Sequence, residues 1–567
     1  MCCNHGKIAL PSLQPPPPEL SVLLTGSDVR AKNFKENICA YNCAFAFTSL
    51  GVKEDHSINR GNGPPVFHIQ GELAHWSGTL LPEPGHSPVY AQLYIYDPST
   101  AVGYRMANNS GSALRHDTME ILVDILRRNH QYAPIYLHAH EVLSQYPDTT
   151  DVSVHLRIAP GTDRRRYNLP TADEVAVILP TSIASSEPRD IILRRRGGIL
   201  QRISDCHPAY APLQYPLLFP YGENGWHPSL SGISSDSQDQ EEDGESDRRI
   251  TQSRFAAYRL HNRIAEFSCL LQGGRLFTRW LVDMYASLDQ NRLLWLRLNQ
   301  GKLRAALYSG LQDAINTLDG EVDLADLGQK VVLPSSYIGG PRHMQQQFQD
   351  SMAIARFFQK VDLFITVTTN PRWPEITQEL RPGETPYDRP DLVARVFQLK
   401  KKAILDDIVK NGVLGKVAAY VYTIEFQKRG LPHMHCLIFL QNPDKLNSSE
   451  EIDKLISAQW PDPITQPMLF ATIKSCMVHG PCGTANPRAP CMQAGKCTKH
   501  YPKPFCESTH LNDDGYPSYK RPDDGRTYDV GGIMVDNSWV VPYCPYLSAK
   551  YDCHINVECA ASLGTFR

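Results

Sequence analysis

The segment from Val417 to Leu440 constrains the fold most strongly, because two strand-like runs flank a short polar loop. The runs "KVAAYVYTIEFQ" and "HMHCLIFL" are rich in β-branched, aromatic and other apolar residues. The loop "KRGLP" between them contains Gly430, which can adopt a positive φ. This order of elements predicts an antiparallel β-hairpin that turns at Gly430.

Two histidines and a glutamate share one face of the predicted hairpin. A turn centred on Gly430 places Glu425 opposite His435 and Gln427 opposite His433. Strand alternation then puts a carboxylate and two imidazoles together, which is a three-ligand set with open coordination positions for Mg²⁺, Mn²⁺ or Zn²⁺. Two ordinary strand histidines are the alternative. The opposite face is predicted to face a core and carries Ile424, Phe426, Met434, Cys436 and Ile438.

Length and charge limit the remaining interpretations. A chain of 567 residues is expected to form two to four domains. The net charge of -3 excludes a basic surface over the whole molecule, so that a nucleic-acid surface must be local. No apolar run approaches the ~18 residues of a membrane span, and the start has no signal-peptide pattern, so we expect no membrane partner and a location in the cytosol or nucleus.

Composition along the chain predicts five segments. The stretch "SSDSQDQEEDGESDRR" is acidic and has no large apolar residue, so we expect a disordered linker there. Helical spacing dominates the residues that follow it. Upstream, the alternation in "VYAQLYIYDP" predicts a strand from Val89 to Pro98. The predicted segments are a proline-rich start (1–32), an α+β N-terminal region (33–225), the acidic linker (226–252), the domain with the histidine hairpin (253–445) and a cysteine-rich, loop-rich C-terminal region (446–567).

Several long segments resemble one family. The run "EFQKRGLPHMHCLIF" is similar to the HUH motif of rolling-circle replication initiators, and more closely to the replication-initiator region of Helitron transposases. The runs "HPAYAPLQYPLLFPYGENGWH", "FSCLLQGGRLFTRWLVDMYASLDQNRL" and "KVDLFITVTTNPRWPEI" also resemble that family. The resemblance implies a Helitron helicase-like domain with an HUH-type antiparallel sheet flanked by helices. In this fold, the strand "DLFITVTTN" lies beside the hairpin.

The resemblance also implies an activity. Rolling-circle nucleases use a divalent metal (Mg²⁺ or Mn²⁺), held by the histidine pair, to polarise a phosphate of single-stranded DNA, and a tyrosine attacks it to form a 5′-phosphotyrosine link. The resemblance implies that His433 and His435 are metal ligands. The predicted strand alternation, together with the analogy to related initiators, adds Glu425 as a third ligand. Lys428 and Arg429 beside the hairpin are candidate contacts to DNA phosphates, with a solvated loop as the alternative. The expected location is then the nucleus.

The sequence departs from the family after the run "KYDCHINVE". The family's paired tyrosines follow this run in a helix that is not present before Arg567, and we expect a fragment that also lacks the fused helicase. Tyr546 and Tyr551 lie before that position and are candidate substitute nucleophiles, with aromatic packing as the alternative. No complete G-x-x-x-x-G-K-[ST] pattern occurs in the sequence, so no ATP site is predicted.

The cysteine-rich region predicts a second metal site. This region is rich in Gly and Pro turns, so we expect it to have no large hydrophobic core. A structural Zn²⁺ would supply the stability that such a core otherwise provides. The best set of ligands is His479, Cys482, Cys491 and Cys497, and free structural cysteines are the alternative.

Three functions are compatible with these observations. The first is a Helitron-type protein that binds metal and single-stranded DNA and nicks it. The second is a catalytically dead remnant that acts as a DNA-binding or interaction module. The third is a metal hydrolase unrelated to DNA, which the family resemblance disfavours. The sequence leaves the oligomeric state open.

Overall fold

The computed structural model describes the chain except residues 1–7, 9, 56, 58–66, 146–151, 157–175, 181–190, 195–199, 232–248, 264–265, 301–331, 428–429, 512–516 and 561–567. The chain divides into two compact units: the first comprises Met1–Leu298 and Arg381–Arg389, and the second Asn299–Leu380 and Pro390–Arg567. Helices and antiparallel sheets occur in both, which confirms the predicted α+β class. Most of the predicted acidic linker lies outside the described residues.

The first unit contains mainly short helices and small sheets. Its helices are α1 (Pro18–Thr25), α2 (Val29–Glu36), α3 (Ile38–Phe45), α4 (Pro98–Asn108), α5 (His116–Asn129), α6 (Tyr132–Leu143), α7 (Tyr210–Gln214), α8 (Gln252–Arg259), α9 (Cys269–Gln272) and α10 (Arg275–Leu298). Its strands are β1 (Ser49–Leu50), β2 (Lys53–Glu54), β3 (Ile69–Gln70), β4 (His75–Ser77), β5 (Val152–Leu156), β6 (Ala176–Pro180), β7 (Ile191–Leu193) and β8 (Gln201–Ile203). The sheets have the strand orders β1-β4-β8, β2-β3 and β6-β5-β7.

The strand predicted from Val89 to Pro98 is wrong. A 3₁₀ helix spans Tyr90–Tyr94 instead, and α4 begins at Pro98. The alternation in this run does not mark two faces of a sheet. The ring of Tyr94 stacks on Phe47 at a centroid distance of 3.9 Å, and the Tyr94 hydroxyl donates to the Phe45 carbonyl. Tertiary packing therefore overrides the local pattern here.

The second unit contains the longest strands of the chain's described part. Its helices are α11 (Pro341–Phe358), α12 (Pro374–Thr377), α13 (Pro390–Val409), α14 (Ser449–Leu455), α15 (Pro467–Cys476) and α16 (Pro545–Tyr551). Its strands are β9 (Leu363–Thr368), β10 (Val417–Phe426), β11 (Pro432–Leu440), β12 (Met492–Gln493), β13 (Lys496–Cys497), β14 (His510–Leu511), β15 (Pro517–Ser518), β16 (Tyr528–Val530), β17 (Ile533–Val535) and β18 (His554–Cys559). In neither unit does a described helix have the length and apolar character needed to cross a membrane.

The main sheet of the second unit has the order β10-β11-β9-β18, with every neighbouring pair antiparallel. The predicted hairpin is therefore confirmed, and so is β9 as its neighbour. The fourth strand, β18, comes from the region that the sequence assigned to a separate cysteine-rich segment. The five predicted segments stay a prediction, but this sheet joins two of them.

The two faces of the main sheet differ in burial. Every second residue of β9, β11 and β18 is buried, and this set forms the core face: Leu363, Ile365, Val367, Met434, Cys436, Ile438, Ile555, Val557 and Cys559. Helix α13 contacts β11, and its Lys401 contacts Tyr422, whose register partner is Cys436. Since paired residues point to the same face, α13 covers the core face. The other face is only partly covered and contains both histidines of the H-x-H pattern.

The hairpin register differs from the prediction by two residues. Glu425 pairs with His433 and Thr423 pairs with His435. The reason is the turn: the amide of Gly430 donates to the Gln427 carbonyl at 2.7 Å, and the amide of Gln427 donates to Leu431 at 3.0 Å. Gly430, with φ 79°, therefore ends the turn and does not lie at its centre. A slip of two residues preserves the strand faces, so that Glu425 stays on the side of the histidines.

Candidate metal centre

The structure brings Glu425, His433 and His435 together on the partly covered face of the main sheet. One ligand atom from each of the three residues lies within 4.8 Å of the others. Nε2 of His435 is 3.2 Å from Oε1 of Glu425, and the two imidazole rings are 4.6 Å apart between centroids. Although Glu425 pairs with His433 in the ladder, its carboxylate reaches diagonally to His435. The predicted three-ligand set therefore exists as a geometric cluster.

Two threonines of β9 orient the imidazoles. Thr368 is the register partner of His433, and its Oγ1 lies 2.7 Å from Nδ1 of that ring. Thr366 stands in the same relation to His435 at 3.3 Å. A hydroxyl that accepts a hydrogen bond from Nδ1 leaves the Nε2 lone pair available for a cation. Neither threonine was predicted as part of the site, although the alternation in "LFITVT" places both opposite to the apolar face.

Burial favours the neutral form of His433, the more deeply buried of the two histidines. His433 is 7% exposed, and desolvation together with the neighbouring His435 lowers its pKa to about 4, while Glu425 partly opposes this shift. A neutral imidazole is the form that binds metal ions, so His433 would stay a competent ligand well below neutral pH. The side chain of Glu425 is 62% exposed and that of His435 is 34% exposed, which leaves the cluster open on one side.

Strand β18 extends the same face beyond the three ligands. His554 and Asn556 pair with Thr368 and Thr366, so they continue the two rows that begin at the histidines. Nδ1 of His554 lies 2.9 Å from the Cys476 carbonyl, which α15 supplies at its last residue. Neither residue was predicted to belong to the site, because the proline-rich and cysteine-rich sequence of this part of the chain predicts little regular structure.

The two candidate tyrosines lie on the C-terminal helix α16. Tyr551 is buried, and its hydroxyl donates to Oδ2 of Asp407 at 2.7 Å. Desolvation and this carboxylate raise the pKa of Tyr551 far above its usual range. Asp407 belongs to α13, which covers the core face, so Tyr551 lies on the side of the sheet away from the histidines. Tyr546 is half-exposed, and its hydroxyl accepts a hydrogen bond from Nζ of Lys550 at 3.2 Å.

The predicted zinc ligands also lie together. One ligand atom from each of His479, Cys482, Cys491 and Cys497 lies within 4.8 Å of the others, and Nε2 of His479 is 3.5 Å from Sγ of Cys497. The small hairpin β12–β13 pairs Met492 with Cys497 around a two-residue turn, Ala494 and Gly495, in which both residues have positive φ. This turn returns the chain so that Cys491 and Cys497 approach each other.

Local packing supports the cysteine cluster. The ring of Tyr501 stacks on His479 at a centroid distance of 4.2 Å, and the amide of His479 donates to the Trp539 carbonyl at 2.9 Å. Burial, with Cys497 and Cys491 close by, raises the pKa of the Cys482 thiol to about 12. Thiols this close ionise together only when a cation compensates their charge, which fits the donor chemistry of a structural zinc site.

Lys428 and Arg429, the predicted DNA contacts, lie outside the described residues.

Comparison with known families identifies part of the chain. No curated protein matches it. A family model described as the Helitron helicase-like domain at the N-terminus matches residues 255–438. The match ends within β11, includes all three residues of the Glu425 cluster, and lies inside the predicted segment 253–445. This chain therefore contains a Helitron helicase-like N-terminal domain.

Proposed function

We propose that this chain is a Helitron-type transposase segment of the HUH class, in which Glu425, His433 and His435 hold a divalent cation that binds a phosphate of single-stranded DNA. The observation that carries the proposal is the cluster itself, with its ligand atoms within 4.8 Å. The domain match supports the assignment, since the cluster lies inside the matched residues. The proposed partner is DNA, and the proposed location is therefore the nucleus.

The side chains of the centre have distinct roles in this proposal. His433 is buried and neutral, so it offers a fixed Nε2 without competition from a proton. His435 is held from both sides, by Thr366 and by Glu425. Glu425 adds the one negative charge of the set and faces solvent. When bound, Mg²⁺ or Mn²⁺ would polarise a phosphate oxygen and favour nucleophilic attack at phosphorus.

Cleavage of the strand needs a nucleophile in addition to these ligands. The hydroxyl of Tyr551 is engaged by buried Asp407 and cannot turn to the centre without breaking that contact. This contact favours the second candidate function, in which the chain binds metal and DNA but does not cleave. Tyr546 is exposed and is the remaining candidate of the two for attack. The proposed activity is therefore metal-dependent strand binding, with nicking as the step that the experiment must decide.

The central experiment measures metal content and adduct formation in the same preparation. Wild type is expected to bind one Mn²⁺ that a His433→Ala/His435→Ala double variant loses. The matched control is His116→Ala/His138→Ala, which replaces two exposed histidines of the first unit. If the His433→Ala/His435→Ala variant keeps every Mn²⁺ equivalent, the proposed centre is refuted.

Covalent chemistry is tested on the same proteins with a labelled single-stranded oligonucleotide and Mn²⁺. A covalent protein–DNA adduct in wild type, absent from the His433→Ala/His435→Ala variant, would establish nicking and exclude the non-cleaving function. Retained binding without an adduct would establish the non-cleaving function. For the second cluster, we propose a structural Zn²⁺ held by His479, Cys482, Cys491 and Cys497.

A further inference from the structure

The edge strand β10 of the main sheet carries two exposed aromatic rings on one face. Tyr420 and Tyr422 lie two residues apart on β10, so both point to the same face of this edge strand. Their rings are nearly parallel, with an interplanar angle of 9° and centroids 6.3 Å apart. Tyr420 is 40% exposed and Tyr422 is 39% exposed. Phe426, on the same face near the hairpin turn, is 64% exposed.

Positive charge accompanies these rings. Nζ of Lys401 lies 5.0 Å from the centroid of the Tyr422 ring and 3.5 Å from its hydroxyl. Lys401 belongs to the run Lys400–Lys402 on α13, and Lys402 is exposed beside it. A lysine over the face of a tyrosine gives a cation–π contact and also places a positive charge where a backbone phosphate could approach.

The combination fits one occupant best. Proteins that bind single-stranded nucleic acid without sequence preference pair a positive track with aromatic rings on which successive bases stack. The ring spacing of 6.3 Å is nearly twice the rise of about 3.4 Å per nucleotide in one strand of duplex DNA. The platform therefore suits an extended strand, with one base on each ring, and not a stacked duplex.

We propose that Tyr420, Tyr422 and Lys401 form a binding platform for two nucleotides of single-stranded DNA on the core-face side of the β10 edge. This inference rests on the proposed function, because it names where the strand that reaches the metal centre is held. Glu425 follows Tyr422 by three residues on the same strand but points to the other face, about 10 Å further along. A bound strand would thus pass around the hairpin end of the sheet to reach the centre.

The test separates stacking from metal chemistry. A fluorescent thymidine oligonucleotide is titrated without added Mn²⁺ or Mg²⁺ and without chelator, so that the proposed structural Zn²⁺ is retained. Affinity is read from anisotropy for wild type, Tyr420→Ala/Tyr422→Ala and the matched control Tyr420→Phe/Tyr422→Phe. The alanine pair is expected to lose at least about tenfold in affinity, and the phenylalanine pair to stay close to wild type, because stacking needs the ring and not the hydroxyl. Lys401→Gln is expected to reduce the salt slope of binding by about 0.7.

The outcomes decide the platform independently of the centre. Wild-type affinity in the alanine pair overturns the proposal, and so does an equal loss in the phenylalanine pair. The proposal is also overturned if sedimentation shows that the alanine pair differs from wild type only in self-association, since β10 would then pair with a second copy of the chain. Unchanged Mn²⁺ binding in the alanine pair shows that the sheet is intact. If His433→Ala/His435→Ala loses Mn²⁺ binding but keeps its affinity for the oligonucleotide, the platform and the metal centre are separate sites. If that variant instead keeps its Mn²⁺, the metal centre is refuted, while a loss of oligonucleotide affinity in Tyr420→Ala/Tyr422→Ala still supports the platform.

Discussion

Replacing Thr368 by valine tests whether β9 orients the buried ligand. The Thr368→Val substitution keeps the shape of the side chain and removes the hydroxyl that lies 2.7 Å from Nδ1 of His433. The next contact to that nitrogen is Nε2 of Gln427 at 3.5 Å, which is at the limit of a hydrogen bond. Loss of such an outer partner typically reduces metal affinity by about 10- to 100-fold. This corresponds to about 1.4–2.7 kcal/mol of binding free energy.

The matched control is Thr366→Val on the same strand. Its hydroxyl lies farther from His435, at 3.3 Å, and that ring is also held by Glu425 and stacks on Phe364 with an interplanar angle of 3°. We expect a smaller loss of Mn²⁺ affinity, measured by calorimetric titration, and urea unfolding should show both variants folded. Equal affinities in wild type and Thr368→Val, or equal losses in the two variants, would refute the proposed orienting role.

Three further predictions concern other parts of the molecule. Tyr551→Phe should lower the free energy of unfolding by about 1.5–3 kcal/mol, because it breaks the bond to buried Asp407, and should leave Mn²⁺ affinity unchanged; lost metal binding would contradict the assigned placement. Cys482→Ser should remove one zinc equivalent in elemental analysis and expose the cysteine-rich loops to proteolysis, and retained zinc would contradict the proposed ligand set. His130 is buried with a pKa lowered to about 3, so its neutral form is favoured in the fold; stability should fall by up to about 1.4 kcal/mol per pH unit as pH drops from 6.5 towards 3, and His130→Asn should flatten that slope in urea titrations.

The ligand set was predictable from sequence because it depends on strand parity and not on register. His433 and His435 differ by two positions, and any even slip keeps Glu425 on their face. The pairing itself was mispredicted, since the turn type decides register and a glycine can end a turn as well as centre it. The threonines of β9 required knowledge of which strand lies next to β11 and in which register.

Regular structure near the C-terminal end was harder to predict. The run "HINVEC" alternates as a strand should, yet short cysteine-rich turns surround it and hide the signal. Its place in the sheet depends on hydrogen bonds to β9, a strand far away in the sequence. The cysteine quartet was accessible in advance because metal coordination limits the choice of side chains, whereas the stacking of Tyr501 on His479 depends on tertiary packing alone.

The late origin of β18 has a consequence for how this protein is made. Until the ribosome has passed Cys559, β9 has a partner only on its β11 side, and a row of backbone amides and carbonyls on its other side is open to pairing with another nascent chain. An expression fragment cut at the limits of the family match would keep that edge permanently bare, and we expect it to aggregate. Recombinant production of the metal-binding half therefore needs to extend beyond Cys559.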